Sequence, residues 1–260
     1  MLTLDHLTRT FTSAPGGREI LAVDGVSLTV QEGEFLCLLG PSGCGKSTLL
    51  NLLAGFIPPS RGTVHFAGQP VIKPAPERAV VFQDAALFPW LTAAQNVEFG
   101  LRRLPRKERR QRALDMLGQV GLADFARAHP HELSGGMRQR VAIARALALK
   151  PKVLLMDEPF GALDANTREH VQDELLRLWE RYQTTVVFVT HNVHEAAYLA
   201  DRVAVMGPAP HSLCGWRRVE IPRPRDRDGQ AVLELSQALR EDLSQIPCCV
   251  APNRRPEEEQ

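Results

Sequence analysis

One eight-residue segment, GPSGCGKS at residues 40–47, restricts the fold of this 260-residue chain more than any other part of its sequence. It fits the pattern G-x-x-x-x-G-K-[ST] and stands between an apolar run of strand length, EFLCLL, and a leucine-rich segment of helical spacing. In that context a glycine-rich loop surrounds phosphate groups with its backbone N–H groups. We therefore expect Lys46 to reach the β- and γ-phosphates of a nucleotide and Ser47 to hold Mg²⁺.

Segments of strand and helix character alternate along the chain. The first third alternates in the strand manner, Ala85 to about Leu147 is helical in character, and the apolar runs KVLLMDEP, TTVVFVTH and RVAVMG follow. This order predicts an α/β fold, a P-loop NTPase core with a mostly parallel sheet, an N-terminal antiparallel β part and an inserted α-helical subdomain. We place the first part of the core at 1–84, the helical subdomain at 85–147, the second part of the core at 148–206, and a C-terminal extension with a disordered tail at 207–260.

Composition and charge restrict the class of protein. The 31 Lys and Arg residues nearly balance the 30 Asp and Glu residues, so the net charge of +1 creates no overall field that would attract nucleic acid. The five cysteines form no C-x-x-C pair, which is typical of a reducing compartment. The first residues lack the basic and apolar regions of a signal peptide, and no apolar run approaches the roughly 18 residues of a membrane span. We expect neither secretion nor a membrane-spanning segment.

Two consecutive acids end the apolar run VLLMDEP. Successive residues of an extended chain face opposite ways, so Asp157 and Glu158 have different tasks. We assign Asp157 to Mg²⁺ and Glu158 to polarising the attacking water, although a surface pair of acids is the alternative. His191 ends the run TTVVFVT at the same predicted sheet edge. A lone histidine there is more often structural, but beside a phosphate loop and an acid pair it becomes a catalytic candidate.

The segment ELSGGMRQRVAIARALAL predicts a second anion-binding helix N-terminus. Ser134, Gly135 and Gly136 open an amphipathic helix, and bare N–H groups at such a position attract negative charge. Cys44 lies within the first loop, where convergent amide dipoles would favour a thiolate; an inert small side chain is an equally good interpretation.

These motifs, in this order, closely resemble those of the ATP-binding subunits of ABC transporters, over roughly residues 2–225. GPSGCGKST is similar to Walker A, VVFQD to the Q-loop, LSGGMRQR to the signature and LLMDEP to Walker B. ALD, which ends at Asp164, is similar to the D-loop, and His191 is similar to the switch histidine. In this family the signature of one subunit closes over the ATP held by the other. The resemblance therefore implies a homodimer with two shared sites.

The resemblance implies ATP hydrolysis with Mg²⁺, and it implies a role for each matching residue. The implied catalytic residues are Glu158, His191 and Gln83. The implied Mg²⁺ ligands are Ser47, Gln83 and Asp157. Phe11 aligns with the aromatic residue that stacks on adenine. The implied nucleotide contacts are Phe11, Gly40, Pro41, Ser42, Gly43, Cys44, Gly45, Lys46, Ser47, Thr48, Ser134, Gly135, Gly136 and Asp164.

Finer features are similar to bacterial importers of nitrate, sulfonate and taurine: LFPWLTAAQNV, DEPFGALDANTR, Met137 and VEIPRPRDR. Two residues depart from the family pattern, since Asn192 replaces the usual Asp and His194 a usual Glu, whereas Glu195 is retained. The resemblance implies a polytopic membrane permease as partner, an extracytoplasmic solute-binding protein as indirect partner, and a peripheral location on the cytoplasmic face of the bacterial inner membrane. It implies no nucleic-acid partner.

The alternative is a soluble ABC ATPase that acts on nucleic acid or ribosomes. Such proteins usually join two ATPase halves or insert a long coiled coil, and this chain has one set of motifs without such an insertion. The basic run RRLPRKERRQR, residues 102–112, is the best support for that alternative. Pro105 and Glu108 interrupt the run, so we interpret it as a solvated helix face, with contact to lipid headgroups or a partner as the other possibility.

Overall fold

The computed structural model describes residues 1–12 and 17–246. The disordered tail predicted near the end of the chain lies outside these residues. A four-stranded antiparallel sheet, with strand order β2-β1-β4-β5, stands beside a six-stranded sheet. The strands of the four-stranded sheet are β1 (Leu2–Thr12), β2 (Glu19–Val30), β4 (Arg61–Phe66) and β5 (Gln69–Pro70).

The six-stranded sheet has the order β10-β9-β3-β8-β7-β6. All its neighbouring strands pair in parallel except β10, which is antiparallel to β9 at one edge. Strands β3 and β8 are buried along their whole length because both faces of the sheet are covered. The strands are β3 (Phe35–Leu39), β6 (Arg78–Val81), β7 (Val153–Asp157), β8 (Thr185–Thr190), β9 (Arg202–Val205) and β10 (Gly215–Arg218).

Alternate residues of β3 divide the interior into two cores. Phe35, Cys37 and Leu39 pack with the helices on one face, whereas Leu36 and Leu38 pack with the leucines of the first helix and with the antiparallel sheet. The helices are α1 (Lys46–Ala54), α2 (Ala93–Phe99), α3 (Arg106–Gln119), α4 (Gly135–Leu147), α5 (Ala165–Tyr182), α6 (Val193–Leu199) and α7 (Gln230–Ser244).

The α/β prediction is confirmed, including the antiparallel N-terminal part and the helices inserted between β6 and β7. The domain boundaries assigned from the sequence remain predictions. Strand β10 and helix α7 were not predicted: β10 has only four residues, and the amphipathic helix α7 follows a stretch rich in prolines and charges. In the part of the chain that the structure describes, no helix is long and apolar enough to cross a bilayer.

The carboxyl ends of three adjacent strands form one edge of the sheet. Strand β3 pairs with β8 through Leu39 and Thr190, and β8 pairs with β7 through Val189 and Asp157. The chain leaves β3 into the 40–47 loop, β8 into His191 and β7 into Glu158. Because parallel strands end at the same side of a sheet, the topology brings these three segments together.

Candidate functional site

Two glycines of the phosphate loop, residues 40–47, have a backbone conformation that disfavours any side chain. Gly43 has φ +81° and Gly45 has φ +97°, in the left-handed region that favours glycine. A Cβ atom on Gly45 would lie 2.2 Å from the carbonyl oxygen of Ala22, so the loop also packs against β2 too closely for a side chain. Helix α1 begins directly afterwards at Lys46. The loop therefore continues directly into the N-terminus of α1.

The start of α1 carries unpaired donors. Within residues 1–12 and 17–246, the backbone N–H groups of Gly43, Gly45, Ser47 and Thr48 have no hydrogen-bond acceptor. Adjacent unpaired N–H groups at the positive end of a helix form an anion-binding site. The loop therefore fits the phosphate groups of a nucleotide.

The Lys46 ammonium lies beneath this loop and is only 4% exposed. It donates to the carbonyl oxygens of Gly40 and Pro41, each at 2.8 Å. The carboxylate oxygen Oε1 of Glu158 lies 3.9 Å away, too far for a hydrogen bond. Because neither carbonyl neutralises the charge, the buried cation adds positive potential to the loop.

Ser47 and Asp157 form a pair of oxygen ligands at the same edge. The Ser47 hydroxyl donates to Asp157 Oδ1 at 3.0 Å. Burial raises the pKa of Asp157, and the bond from Ser47 opposes that effect. Hydroxyl and carboxylate oxygens are the ligands that Mg²⁺ uses beside nucleotide phosphates. A divalent cation here would relieve the desolvation of the carboxylate, so the pair fits Mg²⁺.

Glu158 follows β7 with φ +42°, an uncommon conformation for a residue with a side chain. Its N–H donates to the Val189 carbonyl at 3.0 Å, which ties this turn to the neighbouring strand. Its Oε2 atom lies 2.9 Å from Nδ1 of His191. Left-handed non-glycine residues cost about 1–3 kcal/mol and persist where surrounding structure enforces them. Here the turn directs the carboxylate towards both His191 and Lys46.

The predicted second anion site, Ser134–Gly136, opens α4 as expected. The Ser134 hydroxyl accepts from the N–H of Met137 at 3.2 Å as the helix N-cap. A Cβ atom on Gly136 would lie 2.2 Å from Cγ2 of Thr167, so α4 approaches the start of α5 closely. Asp164 caps α5 by accepting from the N–H of Thr167 at 3.0 Å.

Gln83 belongs to this second group rather than to the phosphate loop. It lines a cleft of about 350 Å³ together with Gly135 and Leu163. In the described residues, no hydrogen bond or ion pair links Ser134–Gly136 to the loop of residues 40–47. The structure therefore brings Lys46, Ser47, Asp157, Glu158 and His191 together. It places Gln83 beside Gly135, and it places Gly136 and the Asp164 cap at the start of α5.

The two helix caps Ser134 and Asp164 allow a prediction about pH. The Thr167 N–H lowers the pKa of Asp164, so the carboxylate stabilises the fold above the ordinary carboxyl pKa. That contribution is lost as the pH falls through the lowered pKa. We expect the cost of Asp164→Ala to be full at neutral pH and to shrink below about pH 4.

Ser134→Ala is the matched control, because a hydroxyl cap does not titrate in this range. It should cost about 1 kcal/mol at every pH. Urea unfolding monitored by circular dichroism from about pH 3 to pH 7 measures both variants. A pH-independent cost of Asp164→Ala would contradict the prediction.

Phe11 lies near the end of β1 and is 36% exposed. The guanidinium of Arg9 sits 4.6 Å from the centre of its ring. The ring is therefore accessible for stacking, and its adenine contact remains a prediction.

The burial of Cys44 decides between the two interpretations of this residue, a reactive thiolate and an inert small side chain. Its side chain is 2% exposed and packs in the core with the leucines of α1. Burial raises the pKa of the Cys44 thiol, and the nearby Lys46 charge only partly opposes it. The thiolate interpretation is wrong because desolvation outweighs the amide dipoles. Contact of Cys44 with nucleotide remains a prediction for its backbone.

Labelling of cysteines tests this burial. A small maleimide should modify Cys214, which is exposed, and leave Cys44 unmodified with or without Mg-ATP. Mass spectrometry of proteolytic peptides gives the extent at each site. Rapid modification of Cys44 in the folded protein, with Cys214→Ala as control for indirect effects, would contradict this placement.

The two departures after His191 have structural explanations. The Asn192 side-chain oxygen accepts from the N–H groups of His194 at 2.9 Å and Glu195 at 3.4 Å, so it caps α6 as Asp would. His194 Nε2 lies 3.0 Å from the carbonyl oxygen of Arg227, in the C-terminal segment. The sequence alone indicates the cap, because Asn is a favoured N-cap residue. It contains no signal for the Arg227 contact.

Comparison with known proteins identifies the family to which this chain belongs. A family model described as ABC transporter matches residues 23–161. The chain belongs to the ABC transporter family. As a member of it, the chain is an ATP-binding ATPase.

Individual relatives match nearly the whole chain. The bicarbonate transport ATP-binding protein CmpD of Synechocystis is 47% identical, over 87% of this chain and 82% of the relative. The nitrate import ATP-binding protein NrtD of Synechococcus elongatus is 47% identical, over 90% of this chain and 85% of the relative. A dimeric post-hydrolysis structure of the ATP-binding cassette MJ0796 bound to ADP and Pi has a TM-score of 0.74 and 34% identity, and covers 85% of this chain and 100% of that cassette.

Proposed function

We propose that this ABC ATPase drives import of a small polar anion, of the nitrate or bicarbonate class, through a separate membrane permease. The names of the two cyanobacterial relatives support the import role and the solute class. The observation that carries the motor role is the meeting of unpaired loop amides with Ser47–Asp157 and Glu158–His191 at one sheet edge. The sequence resemblance also suggests sulfonate and taurine, so both solutes are included in the reconstitution experiment described below.

Each residue at that edge has a proposed task in hydrolysis. The N–H groups of Gly43, Gly45 and the first turn of α1 hold the phosphates, and Lys46 stabilises negative charge on the β- and γ-oxygens. Ser47 and Asp157 would hold Mg²⁺, which would neutralise charge on the phosphates. Gln83, which lines a cleft with Gly135 and Leu163, would have to approach this pair to contribute its amide oxygen. Phe11 carries the adenine ring.

Glu158 and His191 act on the attacking water. The Glu158 carboxylate accepts a hydrogen bond from the water and takes its proton as the new O–P bond forms and the bond to ADP breaks. His191, at 2.9 Å from that carboxylate, holds it in place and presents its other ring nitrogen towards the γ-phosphate. In the described residues the phosphate loop and Ser134–Gly136 share no hydrogen bond or ion pair, which fits a homodimer in which each signature completes the partner's site. The dimeric relative supports the same arrangement.

An aromatic surface beyond Gln83 is our proposed permease contact. Trp90 is 70% exposed, its ring centre lies 5.6 Å from that of Phe88, and Phe88 lies 4.3 Å from Phe99. Arg102 stacks on Phe99 at 4.0 Å. Exposed aromatic clusters of this kind favour protein contacts. We place the dimer at the cytoplasmic face of the inner membrane, with the solute-binding protein acting on the far side of the permease.

The soluble nucleic-acid ATPase is less well supported. In the basic run of residues 102–112, Arg110 pairs with Glu98 at 2.8 Å and Arg109 lies 3.5 Å from the same carboxylate. These contacts neutralise part of the positive charge that phosphate binding needs.

Reconstitution tests the proposed function. The chain should co-purify with a polytopic permease encoded beside it, and that complex in proteoliposomes should hydrolyse ATP faster when its solute-binding protein carries nitrate or bicarbonate. Sulfonate and taurine are the comparison solutes. The purified chain should show no salt-dependent nanomolar affinity for DNA or RNA. Tight binding to RNA without any permease association would overturn the proposal in favour of the alternative.

A further inference from the structure

A series of hydrogen-bonded polar side chains connects the C-terminal segment, through the interior, to the residues on either side of His191. Thr190, at the end of β8, donates from its hydroxyl to Oε2 of Glu195 at 2.6 Å. The same hydroxyl accepts from the N–H of Asn192 at 3.0 Å. His191 lies between the two bonded residues. The orientation of its backbone therefore depends on the position of the Thr190 hydroxyl.

The other oxygen of Glu195 extends the chain into α5. Oε1 accepts from Nε2 of Gln172 at 3.1 Å, and the Gln172 side-chain oxygen accepts from Nη1 of Arg227. Gln172 is 1% exposed and Glu195 is 7% exposed. We call Arg227, Gln172, Glu195 and Thr190 the relay.

Each residue of the relay has the hydrogen-bond donors or acceptors that its neighbours in the relay require. Arginine only donates and an ionised carboxylate only accepts, so the residue between them must do both. Gln172 does so with its two ends: its oxygen faces Arg227 and its NH₂ group faces Glu195. A buried amide or carboxylate without partners would cost several kcal/mol. The bonds therefore hold each side chain in one orientation, and an apolar replacement at Gln172 interrupts the relay.

Arg227 is fixed by elements on both sides. Its Nη2 donates to Oδ1 of Asp173 at 2.8 Å, and its guanidinium lies 3.9 Å from the centre of the Tyr198 ring. Its carbonyl oxygen accepts from Nε2 of His194 at 3.0 Å, and because a carbonyl cannot donate, the proton is on Nε2. Arg227 thus joins α5 to α6, the helix that follows His191.

We propose that the relay positions His191 against Glu158 for ATP hydrolysis, which makes Arg227, Gln172 and Glu195 positioning residues of this ATPase. The inference rests on the roles proposed above for Glu158 and His191. It gives the C-terminal segment a task that neither the motifs nor the comparisons assign. A residue more than thirty positions beyond His191 sets the geometry at the γ-phosphate.

Two substitutions interrupt the relay: Gln172→Met, which keeps the side-chain length, and Arg227→Met, which keeps an unbranched stem but removes the guanidinium. Each should lower kcat roughly tenfold, less than the hundredfold that a 1 Å misplacement can cost, and leave KM for ATP within about twofold. Arg223→Met is the matched control. Arg223 lies in the same segment and stacks on Trp179 at 4.4 Å, but it bonds to Asp201 and Leu199 and not to the relay.

NMR of the apo protein tests positioning without any activity. The imidazole signals of His191 should shift, and the Asn192 amide should exchange faster with solvent, in Gln172→Met and Arg227→Met but not in Arg223→Met. If Gln172→Met does not fold, as judged by circular dichroism and ATP binding, Arg227→Met carries the test, because its side chain is not fully buried.

Each contrary outcome identifies what fails. Equal loss of kcat in Arg223→Met would reduce the relay to general stability and overturn the inference. Unchanged His191 signals, or altered signals with unchanged kcat, would overturn it as well. Parental turnover in Glu158→Gln would instead refute the catalytic role proposed for Glu158, and the NMR comparison would still decide whether the relay orients His191.

Discussion

Glu158→Gln should bind ATP with near-parental affinity and lose at least about a hundredfold in turnover, the usual contribution of a general base. The amide keeps the shape and the hydrogen-bonding oxygen of the carboxylate but cannot take a proton from water. The proposed phosphate contacts are elsewhere, on the loop amides and Lys46, so binding should be retained. With hydrolysis blocked, ATP should remain trapped and the dimer should accumulate.

Steady-state phosphate release, ATP retention on a desalting column and size-exclusion chromatography measure these three effects. Glu180→Gln is the matched control, because it makes the same change to an exposed carboxylate near the far end of α5. It should behave like the parent. Hydrolysis by Glu158→Gln at the parental rate, with the same dependence on metal, would remove Glu158 from the catalytic role.

A mixture of Ser134→Arg and Lys46→Ala, both in the Glu158→Gln background, should trap ATP that neither variant traps alone. Ser134→Arg removes the cap of α4 and adds a bulky cation where a hydroxyl and two bare glycines would approach a γ-phosphate. Lys46→Ala removes the buried cation of the phosphate loop. If sites are shared, the heterodimer has one site with both faults and one sound site.

Differently tagged variants, purified as heterodimers, allow ATP occupancy and nucleotide-induced dimerisation to be measured. Ser134→Ala in place of Ser134→Arg is the control, since it removes the cap without adding charge and should still trap some ATP in its homodimer. No trapped ATP in verified heterodimers would mean that each chain uses its own signature. The separation of Ser134–Gly136 from the loop would then need a conformational change within one chain.

The comparison between sequence and structure is most informative at individual residues. The loop of residues 40–47 and the ends of β7 and β8 were predictable because each is a local pattern: a glycine spacing, or an apolar run that stops at a polar residue. The rule that parallel strands end at one edge then predicts that Ser47, Asp157 and His191 meet. The structure places them there, while their catalytic roles remain predictions.

Other features depend on contacts between distant parts of the chain. Cys44 has the sequence position of a reactive thiol, but packing against α1 buries it and raises its pKa. The short strand β10 depends on pairing with the edge of β9, and the amphipathic helix α7 packs against α6.

The sequence by itself therefore determined the α/β class, the family resemblance and the residues that meet at one edge of the sheet, because local periodicity and motif spacing encode these. Only the tertiary structure decided that Ser134–Gly136 packs against the start of α5, and that Arg227 reaches Glu195 through Gln172. Burial and long-range hydrogen bonds set these features. They depend on which surfaces pack together in three dimensions, and no short stretch of sequence records that.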